Sequence, residues 1–139
     1  MENLGEALDA RLAALWHVLG RRDKRDLSRT AASVLATLRD HGPRRITELA
    51  ESEAIAQPTV TTLVGRLERD WLVKRAPDPD DARAVQVHLT DEGLRRLAAM
   101  RAARAALLDA RLERLTDDER AALTAALPAL DKLMEGHEK

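Results

Sequence analysis

Between Ile46 and Leu89 the spacing of apolar residues changes character from helix-like to strand-like, and few folds accommodate that order. Leu49-Ala50 opens a short apolar helix, and Ile55-Ala56-Gln57-Pro58-Thr59 supplies a turn. Val60, Leu63, Val64 and Leu67 then recur at three- and four-residue intervals. Leu72-Val73-Lys74-Arg75 follows, then the polar loop Pro77-Asp78-Pro79-Asp80-Asp81-Ala82-Arg83, then the alternating run Val85-Gln86-Val87-His88-Leu89. Spacings of three and four gather side chains on one helix face, whereas a spacing of two gathers them on one face of a sheet. The predicted order is therefore helix, turn, helix, β-ribbon.

The flanking segments read as helices. Leu4, Leu8, Leu12, Leu15 and Leu19 form one stripe that ends at Gly20 and a basic cluster. Ser28 is a natural cap for a helix carrying Ala31, Val34, Leu35 and Leu38, which Gly42-Pro43 should stop. Thr90 opens a long helix with Leu94, Leu97, Met100 or Arg101, Ala105, Leu108, Leu112 and Leu115. Thr116-Asp117-Asp118-Glu119 is a capping box for a last helix with Leu123, Leu127 and Leu130, which Pro128 should kink or interrupt. The chain has 139 residues with two Trp, no Phe and no Tyr, so one domain with an aliphatic, helix-packed interior is expected. With no Cys there is no disulfide framework and no thiol switch. No run looks like a signal peptide and none is apolar for long enough to span a bilayer, so a cytoplasmic protein without a membrane partner is expected.

Helix, turn, helix and ribbon is a DNA-reading architecture, in which the second helix enters a major groove and the ribbon reaches backbone or minor groove. The order of residues resembles the MarR family of bacterial transcriptional regulators. The similarity lies in Leu49-Ala50, in Gln57 to Leu67, in Leu72-Val73-Lys74-Arg75, in Asp81-Ala82-Arg83 of the wing, and in Leu89-Thr90-Asp91-Glu92-Gly93. Four positions depart from the family pattern. Ala54 stands where a turn glycine is usual, Ala56 where a capping Ser is usual, Gly65 where an Asp is usual, and Trp71 where a glycine usually ends the recognition helix. The fold implied is mainly α with a small β-wing. Residues 28–89 would form the winged helix-turn-helix lobe of a single MarR-like domain, 1–139, and residues 1–22 and 90–139 a helical dimerisation region. The terminal stripes hold more apolar surface than a small winged domain covers. A homodimer with interdigitating terminal helices is the expected arrangement; an intramolecular bundle is the alternative.

On a helix starting near Pro58, the outward face carries Pro58, Thr59, Thr62, Gly65, Arg66 and Arg69, with Gln57 at its start. Short polar groups lie near the N-terminus and long cations further along, which suits base edges and phosphates respectively. An ordinary solvated face is the plainer alternative. Pro58 stiffens the first turn, and Ala56 cannot cap it by side chain, so Gln57 or a phosphate is left to meet the free N–H groups. The resemblance gives Arg83 the minor groove, with Asp81 orienting it; a loop-tip ion pair is the alternative. Asp78 and Asp80 would repel phosphates, so the wing must be ordered. Lys74 and Arg75 are candidates for backbone contact or plain surface residues.

No nucleophile elbow, phosphate loop or paired-histidine spacing is present, so neither an enzyme nor a metal or cofactor site is expected. His17, His41, His88 and His137 are scattered. The resemblance implies a small aromatic or anionic effector near the dimerisation helices, where Trp16 and His17 are the residues with ligand chemistry. Packing for Trp16 and solvent or partner-chain contact for His17 are the alternatives. The function implied is sequence-specific binding of double-stranded DNA by a homodimeric, ligand-responsive repressor on a pseudo-palindromic operator. The net charge of −1 keeps a rival open, a winged-helix module that binds protein without specific DNA binding.

Overall fold

The computed structural model describes residues 3–20 and 27–136. The basic cluster after Gly20 and His137 lie outside them. Two compact units are present: Arg21–Ala102, and Met1–Gly20 together with Ala103–Lys139.

In the first of these, α2 (Arg29–His41) starts under a Ser28 cap and ends at Gly42, whose φ of 82° suits a residue without Cβ. A two-residue strand β1 (Arg44–Arg45) leads into α3 (Ile46–Glu53), which begins three residues before the expected Leu49. Glu48 draws that start back: its carboxylate accepts the Arg45 N–H at 2.9 Å. Next come α4 (Gln57–Arg69), β2 (Val73–Pro77) and β3 (Val85–Leu89), followed by α5 (Asp91–Leu112), in which the division between the units falls. The sheet is antiparallel in the order β1-β3-β2, with Arg45 opposite Gln86, and Gln86 opposite Ala76. The apolar stripes read from the sequence converge on one core of Val34, Leu35, Leu38, Leu49, Val60, Val64, Leu67, Leu72, Val73, Val87 and Leu97, all buried.

Both helices of the helix-turn-helix end alike. After α3, the Ile55 N–H donates to Ala50 O and the Ala54 N–H to Glu51 O. After α4, the Leu72 N–H donates to Leu67 O and the Trp71 N–H to Glu68 O. These are paired Schellman closures, and they force the residue between helix and exit into left-handed backbone. Ala54 has φ 54° and Trp71 has φ 63°, the non-glycine residues with positive φ among those described.

The other unit holds α1 (Leu4–Val18), the end of α5 and α6 (Asp117–Met134). Arg120 caps the C-terminus of α5, donating to Leu112 O at 3.0 Å and Leu115 O at 2.7 Å, and it pairs with Asp117. Thr116 and Glu119 form the predicted capping box. The helix runs through Pro128 without the expected interruption. A proline there withholds one N–H from the Thr124 carbonyl and leaves the other helical bonds intact.

Candidate nucleic-acid interface

The α4 helix buries Val60, Val64 and Leu67 and turns Gln57, Pro58, Thr59, Thr62, Arg66 and Arg69 to solvent, as its periodicity requires. Ala56 makes no side-chain cap, and Pro58 occupies the first turn. Pro58 has no N–H and the Thr59 N–H turns back to Ala56 O at 3.0 Å, so what the helix start offers an anion is chiefly the positive end of its dipole, with no side chain capping it. The Thr62 hydroxyl donates to Pro58 O at 3.1 Å. With its hydrogen engaged, Thr62 offers a methyl group and an acceptor. Thr61 is tied in the same way to Gln57 O at 3.0 Å. Arg69 folds back toward Gly65 O at 3.4 Å, whereas the Arg66 side chain stands in solvent.

In the wing, Asp81 Oδ1 accepts the Arg83 N–H at 3.0 Å and Arg83 Nε at 3.4 Å. The Arg83 side chain is 92% exposed, so its remaining donors point away from the protein. A contact at 3.4 Å orients the guanidinium without consuming it. Lys74 is exposed opposite His88 on β3. Arg75 leans toward α4, with Nε 3.5 Å from Glu68 Oε2, and braces the strand against the helix.

Asp78 corrects an expectation. Read as a carboxylate that would face phosphates, it is instead buried, its side chain 3% exposed. Oδ2 accepts Arg45 Nε at 2.7 Å, while Oδ1 accepts the N–H groups of Asp80 at 2.7 Å and Asp81 at 3.2 Å. The Arg45 hydrogen bond and then the Asp80 amide hold the Asp78 carboxyl below the usual aspartate range, against the upward push of burial. Neither β1 nor the role of Arg45 was visible in the sequence. An Arg-Arg pair after Pro43 carries no strand signal, and its partner lies 33 residues on.

At the base of the wing, the Thr90 N–H donates to Leu72 O at 3.1 Å, and its hydroxyl donates to Trp71 O at 2.6 Å while accepting the Gly93 N–H at 3.0 Å. One threonine thus ties the start of α5 to the exit of α4.

In the other unit, the Arg104 guanidinium lies 4.3 Å from the centroid of the Trp16 ring, while His17 in the last turn of α1 is exposed. His17, His41 and His88 occupy different elements, and no group of three metal-ligating side chains is present among the described residues.

A helix-turn-helix with this ribbon and wing has close counterparts. The MarR family model matches residues 27–85. Over 109 residues the chain is 32% identical to the HTH-type transcriptional regulator Mb0904 of Mycobacterium bovis, covering 78% of this chain and 76% of that one. The chain belongs to the MarR family. Within it, the HTH-type transcriptional repressor NicR of Pseudomonas putida is 46% identical over 66 residues, which is 48% of this MarR-family chain but only 42% of NicR. The structure of Bordetella bronchiseptica BpsR, whose DNA binding is regulated by 6-hydroxynicotinic acid, superposes with a TM-score of 0.61 at 27% identity and covers 94% of each chain. The two positions where this MarR-family sequence lacks an expected glycine, Ala54 and Trp71, are the two that the Schellman closures place in left-handed backbone. The Leu-Thr-x-x-Gly signature likewise has a physical basis, since the Thr90 hydroxyl accepts the Gly93 N–H and donates to Trp71 O at the exit of α4.

Proposed function

We propose that this protein is a sequence-specific double-stranded DNA-binding transcriptional regulator, a ligand-responsive repressor that acts as a homodimer in the cytoplasm. The observation that carries the reading is the outward face of α4, with Gln57, Thr59 and Thr62 near an uncapped N-terminus and Arg66 beyond. On a winged domain, that face and the projecting Arg83 answer to a major groove and the adjacent minor groove. NicR, which is 46% identical over 66 residues, is named as a repressor.

The dimer is supported by apolar surface that the helical unit leaves uncovered. Leu4 is 81% exposed and Leu127 is 55% exposed, and Leu12, Leu15, Leu123 and Leu133 are open as well. Stripes of that extent are covered by a partner in stable proteins. Twofold symmetry then sets two recognition helices on half-sites roughly one DNA turn apart. The effector is an aromatic acid: the stacked Trp16 and Arg104 supply a ring face and a cation, and BpsR responds to an acid of that class.

Selection from random duplexes followed by a salt titration tests the reading. An enriched twofold sequence and a steep fall of log K with log salt are expected. A flat salt response with no enriched sequence would show a module that binds something other than DNA. Release of the selected duplex by aromatic acids, lost in Trp16→Ala, tests the effector.

A further inference from the structure

We propose that Arg45 and Asp78 are positioning residues for the wing: Arg45, on the edge strand that enters the helix-turn-helix, holds the buried Asp78 so that Arg83 is delivered to DNA at a fixed place. This rests on the DNA-binding reading above and adds residues that act through Arg83 rather than by touching DNA.

The bonds run continuously from the sheet to the tip. Arg45 Nε donates to Asp78 Oδ2, and Asp78 Oδ1 gathers the amides of Asp80 and Asp81. Asp81 in turn accepts both the backbone and the side chain of Arg83. The loop is closed across its base, where the Asp78 N–H donates to Ala84 O at 3.0 Å and the Ala84 N–H to Asp81 O at 2.9 Å. Arg45 itself is fixed by its pairing with Gln86 on β3 and by Glu48, which accepts its N–H. Two carboxylates and one arginine thus stand between the rigid sheet and the guanidinium that meets the groove. Charge reinforces the geometry. Asp78, Asp80 and Asp81 lie close to one another, and an open loop would present all three to phosphates. With Asp78 neutralised inside by Arg45 and Asp81 turned onto Arg83, the wing can approach a polyanion.

The proposal separates from simple electrostatics because the two predict opposite signs. Removing the charge of Asp78 should tighten DNA binding if charge alone counts, and weaken it if Asp78 sets the position of Arg83. The experiment measures affinity for the selected duplex over a salt series in Arg83→Ala, Asp78→Asn, Arg45→Gln, Arg45→Lys and the two doubles with Arg83→Ala. Arg83→Ala and Asp78→Asn should each weaken binding on the order of tenfold, and the Asp78→Asn double should be no weaker than Arg83→Ala alone. Arg45→Gln keeps the Asp78 carboxylate but removes the bond that holds it to the sheet, so it should weaken binding only where Arg83 is present; Arg45→Lys should restore most of it. Amide exchange of Asp80, Asp81 and Arg83 in the DNA-free protein should quicken in Asp78→Asn and Arg45→Gln while Val60 and Val64 stay protected. Binding that is unchanged or tighter in Asp78→Asn, with Arg83→Ala still weak, overturns the positioning role. So does a further loss and a shallower salt slope when Arg45→Gln is added to Arg83→Ala, since Arg45 would then be a direct phosphate contact. An Arg83→Ala protein that binds like wild type while Thr62 and Arg66 variants do not would remove the wing from the DNA-binding reading, and the positioning role with it, even if the amides quicken as expected.

Discussion

A methyl group at position 93 would stand 2.1 Å from the Leu72 carbonyl oxygen and 2.7 Å from Leu89 Cδ1. The carbonyl cannot withdraw, because Leu72 is fixed by its bond to Leu67 O and by the Thr90 N–H it accepts. Gly93→Ala should therefore cost about 3 kcal/mol, the upper part of the overpacking range, read as a lowered denaturant midpoint. Asp78 gives a second test at this scale. Its carboxyl lies below the ordinary aspartate range of about 3.9 because Arg45 and the Asp80 amide favour the charged form. Since the folded value is the lower one, the anchoring is complete above the ordinary range and is lost as pH falls through the folded value. Carboxyl NMR should show Asp78 protonating below the ordinary aspartate range, with Asp81 amide exchange rising in step. Titration in the ordinary range, or exchange that ignores it, would remove the anchor. The burial of Asp78 was not legible in the chain, where an aspartate between two prolines looks solvated. Its partners come from a neighbouring turn and from a strand far back in sequence, and no local pattern encodes either.

Element by element, what repeats was readable and what closes was not. The stripes of α2 and α4 follow from apolar spacing, and the alternation of Val85, Val87 and Leu89 gives β3 its length. The start of α3 depends on a carboxylate reaching back to Arg45, and the end of α4 on a backbone closure that any side chain can join. That closure holds Ala54 and Trp71 in left-handed backbone, which costs a residue with Cβ roughly 1 to 2 kcal/mol. Ala54→Gly and Trp71→Gly should each raise stability by about 1 kcal/mol after the greater freedom of unfolded glycine is subtracted. Trp71 is 78% exposed and gives up little packing. Thermal unfolding of the two variants and their double checks this, and a lower melting point in Trp71→Gly would mean that the indole is held by something other than solvent. On the outer face of α4, Thr62 and Arg66 should divide specificity from affinity. Thr62→Ala should relax base preference at one position of each half-site, while Arg66→Ala should weaken all sequences alike and flatten the salt slope by about one. Unaltered selection profiles and slopes in both would mean that another surface reads the DNA.

For the whole molecule, the helical unit sets the test. Residues from Thr116 onward supply the capping box, Leu123 and Leu127, and also Arg120, which satisfies the last carbonyls of α5. Truncation before Thr116 should therefore leave the α5 end uncapped and abolish the dimer. DNA affinity should fall steeply with it, because two linked half-sites bind at an effective concentration that a single one lacks. Sedimentation of the truncated protein as a dimer, or full affinity from a monomer, would refute this assembly.

The strain at Ala54 and Trp71 also has a reading in the genetic code. Every alanine codon becomes a glycine codon by one base change, and so does the tryptophan codon. A library of random point mutants screened for survival of heating should therefore return glycine at both positions early. The same library should be silent at Gly93, where every single-base change that still encodes a different residue adds a Cβ against the Leu72 carbonyl.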